Sequence, residues 1–95
     1  MFKKRRGIKV PYNKQGLIYF ICANYYDMPE EIQIKIVDLC KEVGKEHSEV
    51  LYEVMTNSSK SIRRLAMDYH ISETQLYHYR KKFYELWEKR LSVSK

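Results

Sequence analysis

The sequence predicts an all-α fold of about five helices in a single domain, with the last three helices forming a tri-helical unit that ends in a long helix. Gly occurs 3 times and Pro 2 times, which leaves few residues for the many tight turns of an all-β fold. Hydrophobic residues make up 44% of the chain and charged residues 32%, a balance typical of globular proteins. A length of 95 residues suits one domain with one modest core.

The N-terminal segment, residues 1–12, is predicted to be a basic arm ahead of a single helical domain over 13–95. The run KKRR is highly charged, and Pro11 resists helix formation. The first helix is predicted over 13–26, with Asn13 as its N-cap. Its sequence is apolar almost all round, which indicates either a buried helix or a strand, and its length favours a helix.

The second helix has a strong start signal. Asp27 is predicted to cap it, and Pro29 suits a first turn that also contains two glutamates. Gly44 is a natural terminator. A third helix is predicted over 46–56. Its inward residues are predicted to be Val50, Leu51, Val54 and Met55.

The fourth helix follows the polar run TNSS, and Ser58 or Ser59 is predicted to cap it. A break follows, and Ser72 then caps a long last helix over about 73–90. The inward face of the fourth helix is predicted to hold Ile62, Leu65, Ala66 and Tyr69.

Residues 62–79 carry the spacing of two helices joined at a fixed angle. Ala66 is the small residue expected where the second helix crosses closest, and Ile71 fills the angle between the helices. The turn position usually holds Gly because its backbone adopts a positive φ. His70 stands there, and His tolerates this region better than most residues.

On these residues, the stretch IRRLAMDYHISETQLYHYRKKF resembles the helix-turn-helix DNA-binding superfamily, over about 60–90. It is similar to small regulators of phages and mobile elements, to the promoter-reading regions of sigma factors and to the small subunits of phage terminases. The resemblance implies that the last helix enters a DNA groove. The alternative is a pair of packed helices that binds no DNA.

A helical wheel divides the last helix into an apolar and a polar side. The side predicted to face the core holds Leu76, Tyr79, Phe83, Leu86, Trp87 and Arg90, with Tyr77 and Tyr84 on its flanks. The opposite side is polar at its start and basic one turn later. A reading helix needs this order, because its N-terminal residues meet base edges.

Candidate DNA-binding residues follow from this face. Gln75 and His78 are expected to contact bases, and Gln75 can pair with both hydrogen-bonding groups of adenine. Thr74 is expected to contact a thymine methyl group or a phosphate. Arg80, Lys81 and Lys82 are expected to hold phosphates. The alternative for each side chain is an ordinary solvated residue.

Further basic residues lie outside the last helix. Arg63 and Arg64 lie near the start of the preceding helix, which crosses the DNA backbone in this geometry. The arm is expected to enter a minor groove or lie along phosphates, or else to be a solubilising tail. Its candidate contacts are Lys3, Lys4, Arg5 and Arg6.

Charge is unevenly distributed along the chain. The net charge of +6 divides into +6 for residues 1–26, −5 for residues 27–53 and +5 for residues 54–95. Such asymmetry suggests nucleic-acid binding at the two basic ends. The alternative is a set of solvated lysines on a helical protein.

No catalytic or metal-binding pattern is recognisable, so the chain is predicted not to be an enzyme and to need no cofactor or metal. Cys22 and Cys40 lack metal-ligand spacing and are expected to be buried thiols. The alternative is a disulfide between them. The chain has nine tyrosines, and these are better explained as packing residues than as catalytic nucleophiles. The longest apolar run is too short to cross a membrane, and no secretory signal is recognisable, so a cytoplasmic location is expected.

The predicted function is sequence-specific binding of double-stranded DNA, as a small transcriptional regulator or accessory factor of a phage or mobile element. Its partners would be DNA and either a second copy of the chain or a protein such as RNA polymerase. One alternative is a sigma-like or terminase-like module in a larger complex. Others are a helical adaptor that binds no DNA, and a single-strand binder that uses stacked tyrosines.

Overall fold

The computed structural model describes residues 10–91, and this part of the chain is helical and contains no strand. The predicted all-α class is therefore confirmed. Short 3₁₀ turns at Tyr25–Asp27 and Lys45–His47 join the first three helices. The helices are α1 (Tyr12–Ala23), α2 (Glu30–Gly44), α3 (Ser48–Thr56), α4 (Ile62–Tyr69) and α5 (Glu73–Leu91).

The main core lies between α1, α2, α3 and the C-terminal half of α5. Phe83, Tyr84 and Trp87 supply its aromatic part from α5. Tyr84, predicted to flank the core side of α5 and to serve packing, is only 1% exposed. The aliphatic and thiol residues of this core are Val10, Ile18, Cys22, Ile36, Leu39, Cys40, Val43, Leu51 and Met55.

A second, smaller core holds α4 and the start of α5 against α3. Val54 and Tyr79 are half-buried and pack against both cores. Because α5 contributes to both cores, its 19-residue length is explained by packing along its whole axis. The buried residues of this second core, which we call the corner core, are Val50, Ile62, Leu65, Ala66 and Leu76.

Only one face of α1 is buried, and it holds Gln15, Ile18 and Cys22. Leu17 is 52% exposed and Phe20 is 60% exposed. The predicted helix is therefore confirmed, but it is buried on one face only. An apolar sequence does not reveal how many faces its neighbours cover, and the remaining helices are too few to surround α1.

The last part of the predicted arm belongs to the folded domain. Val10 is 3% exposed and packs in the main core. Its carbonyl oxygen accepts a 2.8 Å hydrogen bond from Nε2 of the fully buried Gln15. The arm as predicted, residues 1–12, therefore extends too far, because Val10 enters the core and α1 begins at Tyr12.

Several helix starts differ from the predicted caps. Pro11, and not Asn13, precedes α1, and Pro29 precedes α2 while Asp27 lies in the 3₁₀ turn before it. Ser61 caps α4, because its Oγ accepts a 3.1 Å hydrogen bond from the Arg64 amide. The predicted caps Ser58 and Ser59 lie in the loop. Asn57 orders that loop by accepting hydrogen bonds from the Ser59 amide and hydroxyl.

The turn after α2 has its positive φ at an unexpected residue. Gly44 is helical, with φ −85°, whereas Lys45 has φ 53° and ψ −118°. A Cβ at Gly44 would lie 3.4 Å from Cβ of Leu51, which is within ordinary van der Waals contact. The glycine therefore marks the correct helix end, although its own backbone is not left-handed.

An ion pair joins α2 to the C-terminal end of α5. Both Arg90 Nη atoms donate to the two carboxylate oxygens of Glu42. This pairing lowers the pKa of Glu42 and raises the pKa of Arg90. Arg90, predicted on the core side, is therefore exposed and paired at the edge of the core.

Candidate nucleic-acid interface

The turn between α4 and α5 is closed by backbone hydrogen bonds around a left-handed residue. His70 has φ 55° and ψ 47°, so the positive φ predicted for this position is confirmed. The His70 amide donates to the Met67 carbonyl at 3.4 Å, and the Ile71 amide donates to the Ala66 carbonyl at 3.0 Å. This pair of bonds is a Schellman motif, which ends α4 and fixes the exit of the chain.

The start of α5 is capped as predicted. Ser72 Oγ accepts a 3.0 Å hydrogen bond from the Gln75 amide, and the Ser72 carbonyl accepts the first helical bond from Leu76. Glu73 adds a negative charge in the first turn, where it is favoured by the helix dipole. The first exposed turn of α5 is therefore held in a defined position.

The corner core sets how α4 and α5 meet. Leu65 and Leu76 are fully buried, and Ala66 is buried beside them. Ile71 packs against the same cluster from the turn. Because Ala66 has only a methyl group, the two helices can approach closely at this point. We call α4, the turn and α5 up to Lys82 the corner.

The side chains predicted to read bases lie on the exposed surface of the corner. Thr74, Gln75 and His78 are exposed at the start of α5, and Lys82 is exposed one turn later. Lys81 is half-buried. The polar-then-basic order predicted from the wheel is therefore present on one surface of the helix.

Gln75 also has an intramolecular partner that was not predicted. Its Nε2 donates to the hydroxyl oxygen of Tyr79 at 2.9 Å, and that oxygen lies 2.8 Å from Nδ1 of His47. Tyr79 was predicted only as a core residue. The one available signal was the four-residue spacing from Gln75 to Tyr79, which places them on neighbouring turns.

Arg80 lies apart from the exposed residues Thr74, Gln75, His78 and Lys82. It is half-buried, and its guanidinium carbon lies 5.0 Å from the centroid of the Tyr77 ring. Both residues line an open recess of about 240 Å³ beside the loop that precedes α4. Lys60 and Ser61 line the same recess. Arg80 therefore faces a different side of α5 from Gln75 and His78.

The two arginines of α4 are exposed, but one of them is paired. Arg64 Nε lies 3.3 Å from each carboxylate oxygen of Asp68, and Lys60 Nζ lies 3.7 Å from Asp68 Oδ2. Arg63 has no such carboxylate contact among the ion pairs of residues 10–91. The pairing of Arg64 was readable from its four-residue spacing to Asp68, and sequence reasoning overlooked it.

The candidate contacts Lys3, Lys4, Arg5 and Arg6 of the arm lie outside the described residues. The interface described here therefore consists of the corner and of Lys60 in the loop before α4. Its exposed basic residues are Lys60, Arg63, Arg64 and Lys82.

The two cysteines are free and buried in the main core. Burial raises the pKa of Cys40 to about 12 and raises the pKa of Cys22 as well, with Cys40 adding to the effect on Cys22. Residues 10–91 contain no group of three or more His, Cys, Asp or Glu side chains arranged to hold a metal ion. No helix in the same range combines the length and apolar character that a membrane crossing needs.

Comparisons of the chain with protein-family models, with curated proteins and with solved structures found no match.

Proposed function

We propose that this protein binds double-stranded DNA in a sequence-specific manner and that the corner is a helix-turn-helix unit. One observation carries the proposal: a left-handed turn and a capped helix start hold the polar first turn of α5 exposed, and the exposed Lys82 follows His78 by one turn. A helix that reads the major groove needs this order, because its N-terminal side chains meet base edges while later ones meet phosphates.

The proposed roles divide by chemistry. Gln75 is assigned to base recognition because a carboxamide matches the donor and acceptor of adenine. Thr74 and His78 flank it on the exposed surface and are assigned to the neighbouring bases or a thymine methyl group. Lys81 and Lys82 are assigned to phosphates, where lysine acts as a point charge.

The basic residues of α4 are assigned to the DNA backbone. Arg63 is exposed and is assigned directly to a phosphate. Arg64 would exchange its contact with Asp68 for a phosphate, and such an exchange costs little because exposed ion pairs contribute little to stability. Arg80, at the recess beside Tyr77, and the arm residues Lys3–Arg6 are proposed as additional phosphate contacts.

In its cellular role, the protein is proposed to be a small transcriptional regulator or accessory factor of a phage or mobile element, acting without catalysis in the cytoplasm. The resemblance of the corner sequence to such regulators supports this assignment. A sigma-like or terminase-like module within a larger complex would use the same surface. A homodimer would require a palindromic site, because operator symmetry mirrors protein symmetry.

A helical adaptor without DNA binding is the second candidate, and the exposed apolar side chains favour it. Leu17 and Phe20 of α1 are exposed on successive turns, and Ile34 is exposed on α2. Tyr26, in the turn between these helices, is 82% exposed. An adaptor would bind a protein partner through these residues and would not bind duplex DNA even at low salt.

Selection of bound sites from a random duplex pool tests the proposed function. The wild-type protein should enrich one motif, and a palindrome would indicate a dimer. Gln75→Ala and His78→Ala should each lose about 1–3 kcal/mol of discrimination at one position and keep non-specific binding. Lys35→Ala, on the exposed surface of α2, is the control and should enrich the wild-type motif. Absence of any enriched motif would contradict sequence-specific binding.

A further inference from the structure

We propose that Tyr79 and His47 are positioning residues that fix the orientation of the Gln75 carboxamide and thereby make it select adenine over guanine. The inference rests on the proposed function, since it concerns the base that Gln75 reads. Neither positioning residue is expected to touch DNA.

The three side chains form a continuous hydrogen-bonded chain from the surface inward. Gln75 is exposed, whereas Tyr79 and His47 are half-buried. The Nε2···Oη distance is 2.9 Å, and the Oη···Nδ1 distance is 2.8 Å. The chain ties α5 to the 3₁₀ turn between α2 and α3, so the exposed amide is held by a distant part of the fold.

A proton on Nε2 of His47 gives this chain a consistent set of donors and acceptors. The Gln75 Nε2 group can only donate, so the Tyr79 oxygen accepts from it. The single hydroxyl proton of Tyr79 is then directed at His47 Nδ1, which accepts it when the ring carries its proton on Nε2. This arrangement keeps Nε2 of Gln75, and not Oε1, next to Tyr79.

The fixed amide presents a defined pattern to DNA. One N–H of Gln75 and its Oε1 stay available, and together they match N7 and the N6 amino group of adenine. Guanine presents two acceptors at the same place, so Oε1 would face O6 without a proton between them. Once the Tyr79 hydroxyl is removed, the amide loses this anchor, so it must be ordered on binding adenine and can turn away from O6 of guanine, and the distinction between the two purines weakens.

The test measures the ratio of dissociation constants for two duplexes that carry A·T or G·C at the position where Gln75→Ala loses its preference. Tyr79→Phe keeps the ring and removes only the hydroxyl. His47→Leu removes the acceptor, and His47→Asn keeps an oxygen acceptor close to the place of Nδ1. We expect the ratio to fall roughly tenfold for Tyr79→Phe and His47→Leu, and to stay within about twofold of wild type for His47→Asn.

Two controls separate positioning from general damage. Non-specific duplex binding and the thermal midpoint of each variant should stay close to wild type, because a merely structural role would change these quantities and not the base ratio. In the Gln75→Ala background, Tyr79→Phe should cause no further change in the ratio, because it acts only through Gln75. If Tyr79→Phe does not fold, the two His47 variants decide the question.

The outcomes distinguish this inference from the proposed function. A wild-type preference that depends on Gln75 but survives in both Tyr79→Phe and His47→Leu would overturn the inference and leave DNA binding in place. A wild-type preference that does not depend on Gln75 would also overturn it. A wild-type protein that binds no duplex, or binds every duplex equally, would overturn the proposed function itself.

Discussion

The amide of Ile71 donates a 3.0 Å hydrogen bond to the carbonyl of Ala66 across the turn between α4 and α5. Both residues also pack in or against the corner core. One backbone bond and one apolar contact therefore close the same turn, which is the usual combination in a Schellman motif. His70, which directly precedes Ile71, has a left-handed backbone as a result.

His70→Gly should raise the stability of the protein. A non-glycine residue in the left-handed region costs about 1–2 kcal/mol, and glycine avoids most of this cost, although it loses more entropy on folding. We therefore expect the free energy of unfolding to rise by about 0.5–1 kcal/mol, measured by urea denaturation. His70→Val is the matched control and should destabilise, because a β-branched residue tolerates positive φ poorly. Equal destabilisation by both changes would contradict the turn geometry.

Ala66→Leu should destabilise the corner. Ala66 is 7% exposed between Leu65 and Leu76, and overpacking such a site typically costs about 1–3 kcal/mol. The thermal midpoint and duplex affinity should both fall. Met67→Leu is the control at the adjacent position, where the side chain is 68% exposed, and it should change neither quantity. An unchanged thermal midpoint for Ala66→Leu would show that α4 and α5 make their closest contact at another residue.

The corner could be predicted because its signals are local. Ser72 caps a helix through an amide three residues away, and Ala66 and His70 are constrained by backbone geometry within a few residues. Interactions between residues this close along the chain can be recognised from the sequence. The exposed positions of Thr74 and His78 then follow from helical periodicity.

Features that depend on distant parts of the chain could not be predicted in the same way. The hydrogen bond from Tyr79 to His47 spans 32 residues, and the exposure of Phe20 depends on where the other helices stop covering α1. Val10 shows the same difficulty, since a residue beside a basic run enters the core.

The cysteines give a prediction with a defined pH dependence. Burial raises the pKa of Cys40 to about 12, so the folded thiol stays protonated at pH 8, and the thiolate is the reactive form. Unfolded thiols have a pKa of about 8.5. The stabilisation that comes from keeping the thiol protonated is therefore fully present below a pH of about 8.5. It is lost as the pH rises towards the pKa of the folded thiol.

Alkylation followed by mass spectrometry checks this prediction. At pH 8, Cys22 and Cys40 should remain unmodified in the native protein, and both should react after denaturation in urea. Rapid modification of either cysteine in the native state would contradict their burial.

Deletion of residues 1–9 should leave the fold intact, because Val10 and its contact with Gln15 are retained. If the arm contacts DNA, affinity should fall and the salt slope should shrink by roughly one unit for each lost phosphate contact. Titration of the full-length and truncated proteins at several salt concentrations measures both quantities, and matching slopes would show that the arm is only a solubilising tail. The charges removed are Lys3, Lys4, Arg5, Arg6 and Lys9.

The salt dependence of duplex binding tests the proposed function most directly. The dissociation constant of the full-length protein for its selected duplex should be measured from low to physiological salt. Neutralisation of about five phosphates predicts a slope of log K against log salt near −4.5. A slope near zero, or equal affinity for the selected and scrambled duplexes at every salt concentration, would contradict sequence-specific binding of double-stranded DNA by the corner.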